Sequence, residues 1–553
     1  MQKHSKITII VKFIREPIMI SLLRQPDAVY GATEKTPFRF EEALINDVKY
    51  SYDVSKNSAK VYVYPSGSPV KYLKLRFRGD LSSVDRVYGD QWERAGLYAY
   101  VEWRSVMACR VLPWFCYVMS GKDMSCYGVK TGANCFAFFQ VDTDGVTLFL
   151  NLCSGRKGTD ITEPLLACEV VETHTENCAD VYKTAAAFSK KMCDNPVLPK
   201  TPIFGVNNWY WAYGDISYES VLKETDYLLE MTNGCKNKPY MIIDDGWQKN
   251  RVPGAGNYIG GEWEPNDKFK DMRKTADAIH LKGAKAGIWF RPLLTRGEVP
   301  KEAILCEECG GIILDPSHPF TLEKAYNDAK KLSDWGFDLI KHDFTTGDAV
   351  TGQKALTSER YDFEFTPENR KYYDNKKTTA TILKNLYRAI QNGAGEKEVI
   401  ACNAVGHLSA GIHSLYRIGN DTSGRSFEWT RRDGINSVMR LPLNNAFYNA
   451  DPDCAAFTNM VRADINLDFL EMCAVTGMTT LASVTPGILK ADEMLRINKI
   501  FKTADSGGGD FGIKNYEKNA NPETFVSADG KTEKHYDWNR VYDGSRIVLS
   551  WME

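Results

Sequence analysis

A chain of 553 residues with 43% hydrophobic residues is long enough for two or three domains, each with its own core, and too apolar to be disordered. Its formal net charge of −2, with 25% charged residues, offers no surface suited to nucleic acid or to a strongly charged partner. No run of about 18 apolar residues occurs, so neither a transmembrane helix nor a membrane partner is expected.

The stretch from Lys6 to Arg15 is basic and apolar, but Lys12 interrupts it and no small-residue cleavage site follows, so we expect no signal peptide and a cytoplasmic protein. From about residue 45 to 180, short alternating runs are broken by Gly, Asp, Asn and Ser; examples are 60–64, 72–77 and 146–150. Period-2 alternation is the mark of antiparallel strands with one solvated face, and it predicts a β-sandwich over residues 1–196. A helix is expected over 180–192, followed by a connector stiffened by Pro196, Pro199 and Pro202.

Past Pro202 the pattern changes to strand, loop and helix in repetition. Strand-like apolar runs occur at 203–206, 240–243, 286–290, 338–342, 398–402, 412–418, 445–449 and 478–482, and helical periods at 217–232, 267–282, 319–335, 377–392 and 464–476. This is an α/β pattern, and it predicts a (β/α)8 TIM barrel over residues 197–490. A strand at 312–314 has no place in that count. A doubly wound open sheet competes, but no G-x-G-x-x-G follows a strand. Residues 491–553 predict a C-terminal extension packed on the barrel: a helix over 491–503, a Gly-rich turn at 506–509 and a last strand at 546–551.

The 14 cysteines lack the even spacing of a disulfide framework, and most lie where a thiol packs as a small hydrophobe. Cys306 and Cys309 form an isolated Cys-x-x-Cys without a second pair of ligands, so neither metal nor cofactor is expected. Aromatic residues make up 12% of the chain, which suits both a large core and rings that stack on sugars.

The run Leu339-Ile340-Lys341-His342-Asp343-Phe344 delivers Asp343 to the C-terminal end of a buried strand, the active-site face of a parallel barrel. Asp244, Asp245, Lys341, Arg417, Asp421, Asp451 and Asp453 reach the same face by the same logic. That set is rich in carboxylates and lacks a G-x-S-x-G elbow, an H-E-x-x-H and a phosphate loop. Paired carboxylates without a metal are the equipment of glycoside hydrolysis. Lys341, two residues before Asp343, lies on the same strand face and favours its ionised form.

Four stretches then resemble glycoside hydrolase family 36, in the clan it shares with family 27: retaining α-galactosidases and α-N-acetylgalactosaminidases. They are Ile243-Asp244-Asp245-Gly246-Trp247, Gly287-Ile288-Trp289-Phe290, Ile340-Lys341-His342-Asp343 and Arg417 through Asp421, on the second, third, fourth and sixth strands. Gly261-Glu262-Trp263 resembles the segment after the second strand. The resemblance implies that Asp343 is the nucleophile and Asp421 the general acid/base, facing each other across about 5 to 6 Å as in a retaining pair. It also implies that Asp244 and Asp245 bind O4 and O6 of a galactose-like ring, that Lys341 and Arg417 hold other hydroxyls, and that Trp289, with Trp247, contributes to a sugar platform. Asn449-Ala450-Asp451-Pro452-Asp453-Cys454 is similar to another stretch of the clan, or is a loop-stabilising Asx turn.

Three departures alter the pocket wall. Arg291 stands where the family has Glu, Cys402-Asn403-Ala404 replaces a Ser/Gly-rich loop beside the sugar C2 substituent, and His342 replaces an aromatic residue or Val. Arg291 is expected at the pocket rim, either selecting an acidic or decorated sugar or neutralised by Asp315 or Glu298. The expected activity is hydrolysis of terminal α-galactoside-like residues from an oligosaccharide or glycoside. Transglycosylation of the raffinose-synthase type and a catalytically silent carbohydrate-binding barrel are the alternatives.

Overall fold

The computed structural model describes residues 19–36, 46–94, 102–104, 111–249, 263–352, 366–518 and 521–538. The expected strand at 546–551, the basic N-terminal stretch, and Gly261 and Glu262 lie outside the described residues.

The alternating runs of the first third form two antiparallel sheets. Five strands, in the order Ala28–Thr33, Val70–Arg78, Gly145–Asn151, Phe136–Asp142 and Leu112–Pro113, make one. Seven strands, from Tyr50–Val54 and Ala59–Val63 through Leu165–Thr175 to Glu102–Arg104, make the other. Alternation does what it predicts: Val61, Val63, Leu73, Leu75, Phe77, Leu148 and Leu150 are fully buried in one shared cluster. The helix Val181–Met192 follows, with Asp180 as its N-cap accepting from the Lys183 amide at 3.0 Å.

The second half builds a nine-stranded parallel sheet. In chain order its strands are Phe204–Asn207, Tyr240–Ile243, Lys285–Phe290, Leu339–His342, Glu398–Ala401, Leu415–Arg417, Asn449–Asp451, Cys454–Phe457 and Thr480–Val484. Neighbours pair in sequence order up to the seventh; the first strand also pairs with the ninth and the ninth with the eighth. The two end strands are therefore consecutive in the chain, with only Pro452 and Asp453 between them. A residue that lacks a donor, followed by one at φ 75°, interrupts what is otherwise one strand.

Three expectations need correction. The seventh strand starts at Asn449 rather than 445, because Pro442 opens a 3-10 turn over Leu441–Leu443 and Asn445 turns to φ 57°. The unplaced strand, Gly311–Leu314, belongs to a small antiparallel sheet with Leu294–Thr295 and Ile304–Glu308, an excursion after the third parallel strand. A helix not foreseen, Phe427–Met439, joins the sixth and seventh strands; it buries Thr430, Asp433, Asn436 and Ser437, so no apolar stripe announces it. At the C-terminal end, helix Ala491–Asp505 leads into a three-stranded antiparallel sheet over Phe511–Ile513, Thr524–Ser527 and Glu533–His535. Among the described residues no helix is long and apolar enough to cross a membrane.

One face of the parallel sheet positions the site. Tyr240, Ile242, Leu339, Ile400, Leu415, Cys454, Ala456 and Leu481 form a cluster of their own, separate from the main core. Side chains on a strand repeat every second residue, so the next positions on that face are Asp244, Lys341, Cys402 and Arg417. Gly287 faces Ile242 there, and a Cβ on it would lie 2.8 Å from Ile242 Cγ1. The apolar layer is thus capped, toward the strand C-termini, by a layer of charge.

Candidate active site

Asp343 is the first residue past the fourth strand, and its amide still donates to the Phe290 carbonyl at 3.0 Å. Phe344 then turns to φ 63°, a left-handed conformation that an aromatic residue adopts only under constraint. The turn directs the Phe344 amide onto Asp343 Oδ1 at 2.7 Å. The same oxygen accepts from Asn403 Nδ2 at 2.6 Å, and Oδ2 accepts from the Trp289 indole at 3.0 Å. Burial alone pushes a carboxyl up, but the charges of Lys341 and Arg94 and the Trp289 bond outweigh it and hold Asp343 below the usual range. Asn403 is itself left-handed at φ 48°, and its carbonyl accepts from the Thr346 amide at 2.9 Å and Thr345 Oγ1 at 3.0 Å.

Lys341 Nζ donates to Asp244 Oδ2 at 2.8 Å, both side chains being buried. Asn207 Nδ2 donates to the same oxygen at 2.6 Å, and the Asp244 amide donates to Asn208 Oδ1 at 2.9 Å. Asp244 Oδ1 accepts from the Asp245 amide at 2.9 Å, and Asp245 accepts from Gln248 Nε2. Gly246 is required by the turn: its φ is 128°, and a Cβ would fall 2.5 Å from the Gly214 carbonyl oxygen.

At the sixth strand Arg417, 1% exposed, donates from Nη2 to Asp453 Oδ2 at 2.6 Å and to Asp421 Oδ1 at 2.9 Å, with Nη1 3.7 Å from Cys402 Sγ. Asp453 also accepts from Tyr210 and from the amide and hydroxyl of Thr422. The Asp453 amide donates to Asp451 Oδ1 at 3.0 Å, so Asp451 does form the Asx turn. The Asp421 side chain keeps 49% of its surface exposed, and its Oδ1 also accepts from Arg94 Nη1 at 2.6 Å. Although burial acts upward, Arg94 and Arg417 hold Asp421 at about 2.

Several expected residues sit elsewhere than expected. Arg291 is not at a rim: it is 1% exposed, with Nε and Nη2 on both oxygens of Asp348 at 2.8 and 2.5 Å and its guanidinium 4.3 Å from the Phe344 ring centroid. Its partner is neither Asp315, which accepts from the Ser317 amide at 2.8 Å, nor Glu298. A buried bidentate pair leaves no free fork for a ligand. Trp247 and Trp289 are 0 and 1% exposed and present no open platform; the Trp247 indole donates to the Trp289 carbonyl at 2.9 Å, and Trp289 orients Asp343. His342 packs on the opposite sheet face, 5.0 Å from the His413 ring, and burial drives it down to about 4. Cys402 is 1% exposed and its thiol is pushed well up by burial.

Sequence reasoning missed Glu93, Arg94, Asn207, Asn208 and the partly open pair Trp209 and Tyr213, whose rings lie 5.5 Å apart. Asn207 and Asn208 follow the first strand as Asp244 follows the second, and that analogy was a usable signal. Glu93 and Arg94 carried none, since they come from the antiparallel region.

The fold and this charge layer define a parallel α/β scaffold with carboxylates and cations at its strand C-termini, and solved structures of similar fold include α-galactosidases. One is the Thermus thermophilus α-galactosidase in complex with p-nitrophenyl α-D-galactopyranoside: TM-score 0.60, 17% identity, 88% of this chain and 97% of that one covered. Another is the glycoside hydrolase family 36 α-galactosidase AgaA from Geobacillus stearothermophilus, in a complex with 1-deoxygalactonojirimycin: TM-score 0.56, 14% identity, 87% and 71% covered. No family model matches the chain. A curated relative, α-galactosidase A of Cellvibrio japonicus, is 23% identical over 163 residues, 30% of this chain and 35% of that protein, so the match spans about a third of the relative's length.

Proposed function

We propose that this chain is a retaining glycosidase that removes terminal α-galactoside-like residues. We read the nine parallel strands as a (β/α)8 barrel over residues 197–490 whose seventh strand is interrupted at Pro452-Asp453, preceded by a β-sandwich over 1–196 and followed by a C-terminal extension over 491–553. The single observation that carries the reading is Asp343: a carboxylate held by three hydrogen bonds and kept ionised beside Lys341, in one charge cluster with a second carboxylate that keeps an open face. Likeness of fold to α-galactosidases supports the substrate class.

In this mechanism Asp343 attacks the anomeric carbon while Asp421 protonates the glycosidic oxygen; Asp421 then takes a proton from the water that releases the sugar. Asp244 and Asp245, linked through the Asp245 amide, present adjacent carboxylates to ring hydroxyls, and Lys341 and Arg417 offer donors beside them. Cys402 and Asn403 border the same space. The test is Asp343→Ala: turnover of an oligosaccharide is abolished, and azide with an activated aryl α-galactoside yields a glycosyl azide of inverted configuration, because the small anion occupies the emptied carboxylate site. A mutant that turns over unchanged without azide removes Asp343 from the role. Products analysed with excess acceptor sugar separate hydrolysis from transfer.

A further inference from the structure

The segment Asp90–Arg94 enters the site from the antiparallel region, and Asp90, Gln91, Trp92 and Glu93 are 4, 2, 2 and 6% exposed. Trp92 stands edge-on to Trp114, Phe136 and Phe138, with ring centroids 5.3, 5.5 and 6.0 Å away. Arg440, at the end of helix Phe427–Met439, pairs with Asp90 at 2.7 Å and donates to the carbonyls of Glu93 at 3.2 Å and Ile418 at 2.7 Å. One buried guanidinium thereby ties this segment to the sixth strand, just before Asp421. It leaves Arg94 between two carboxyls, with Nη1 2.6 Å from Asp421 Oδ1 and Nε 3.6 Å from Glu93 Oε1.

The charges around the two carboxyls differ. Asp421 faces Arg94, Arg417 and Lys341, against Asp343 and Asp433. Glu93 faces Arg94 and Arg440, against Asp343 and Asp421, and burial drives it up to about 7 while Asp421 is held at about 2. A general acid works best when it holds a proton near the working pH, and of the two carboxyls it is Glu93, raised by burial, whose proton affinity lies nearer that range.

We propose that Arg94 is a positioning residue that exchanges between two carboxyls, paired with Asp421 in the free enzyme and moved onto Glu93 when a glycoside enters, so that the Glu93 proton passes to Asp421. The exchange is balanced within the site: one O–H bond breaks on Glu93, one forms on Asp421, and the guanidinium follows the negative charge. Arg94 Nη1 and Arg417 Nη2 both sit on Asp421 Oδ1, and the glycosidic oxygen approaches the exposed remainder of that carboxylate beside Arg94, so that substrate entry and Arg94 departure are coupled. This rests on reading Asp421 as the acid/base.

The test compares two α-galactosides, one with 2,4-dinitrophenol, which leaves without protonation, and one with methanol as the leaving group. Glu93→Gln has no proton to release: kcat/KM on the methyl glycoside should fall by roughly 10²-fold, the low end of acid catalysis, and change by less than about threefold on the dinitrophenyl one. In Arg94→Met the 13C-carboxyl signal of Asp421, assigned with Asp421→Asn, should titrate at least about one pH unit higher than in the wild type, and Arg94→Lys should return it toward the wild-type value. Equal losses on both substrates, or an Asp421 titration that does not move, overturn the proposal. A wild-type protein that cleaves neither compound overturns the hydrolase reading, whereas the Asp421 titration reads the grip of Arg94 without turnover.

Discussion

Asp343 and Arg291 show how neighbouring residues at strand ends take opposite roles. Both are buried, but Asp343 gathers neutral donors and more distant cations, whereas Arg291 is gripped on two nitrogens by the carboxylate of Asp348, which is itself fully buried. Removing one member of such a pair strands a charge in the interior. Arg291→Met should therefore destabilise the protein by about 3–5 kcal/mol, and Arg291→Met with Asp348→Leu should lose less than the two single losses summed, because each substitution removes the charge that the other would strand. Denaturant titrations of the wild type, both single variants and the double variant provide the measurement. A single mutant as stable as the wild type removes the structural role and reopens a ligand role for Arg291. The sequence placed Asp343, Lys341, Asp244 and Arg417 on one face because side-chain period along a strand is local. It misplaced Arg291 because the partner lies 57 residues on, in the turn Gly347–Thr351.

At the scale of elements, the helix Tyr218–Met231 turns a carboxyl inward. Glu224 is 1% exposed, accepts from the Trp211 indole at 2.9 Å, lies beside Asn208, and is driven up to about 8 by burial. A raised folded-state value means that Glu224 supports the fold fully below about pH 4.3, where the unfolded chain also holds the proton, and that this support is lost as pH rises through about 8. Glu224→Gln cannot titrate, so its melting temperature should rise relative to the wild type between pH 5 and pH 9. A difference that stays constant with pH would show Glu224 ionised throughout. Helices with an apolar stripe were legible from spacing, among them Tyr218–Met231 and Thr379–Ala394. Phe427–Met439 was not, since polar residues buried against the rest of the protein erase the stripe.

For the whole molecule, the junction between the antiparallel sheets and the parallel sheet brings Glu93 and Arg94 to the candidate site. Arg440 is its fastener, 2% exposed and paired with Asp90, which is 4% exposed. Arg440→Met should lower stability by about 3 kcal/mol or more, as breaking a buried pair does, and should weaken the placement of Arg94. Thermal unfolding together with the Asp421 titration tests both; a variant with unchanged melting and titration would place the fastening elsewhere. The amino-acid sequence by itself determined the alternation of the first third, the strand and helix rhythm of the second, and the carboxylates at strand ends, because each depends on residues a few positions apart. Only the tertiary structure decided that Arg94 meets Asp421 across 327 residues, that Asp348 neutralises Arg291 and that Trp289 orients Asp343. Those pairings are set by how sheets pack, and the geometry of packing is not a property of any local run of residues.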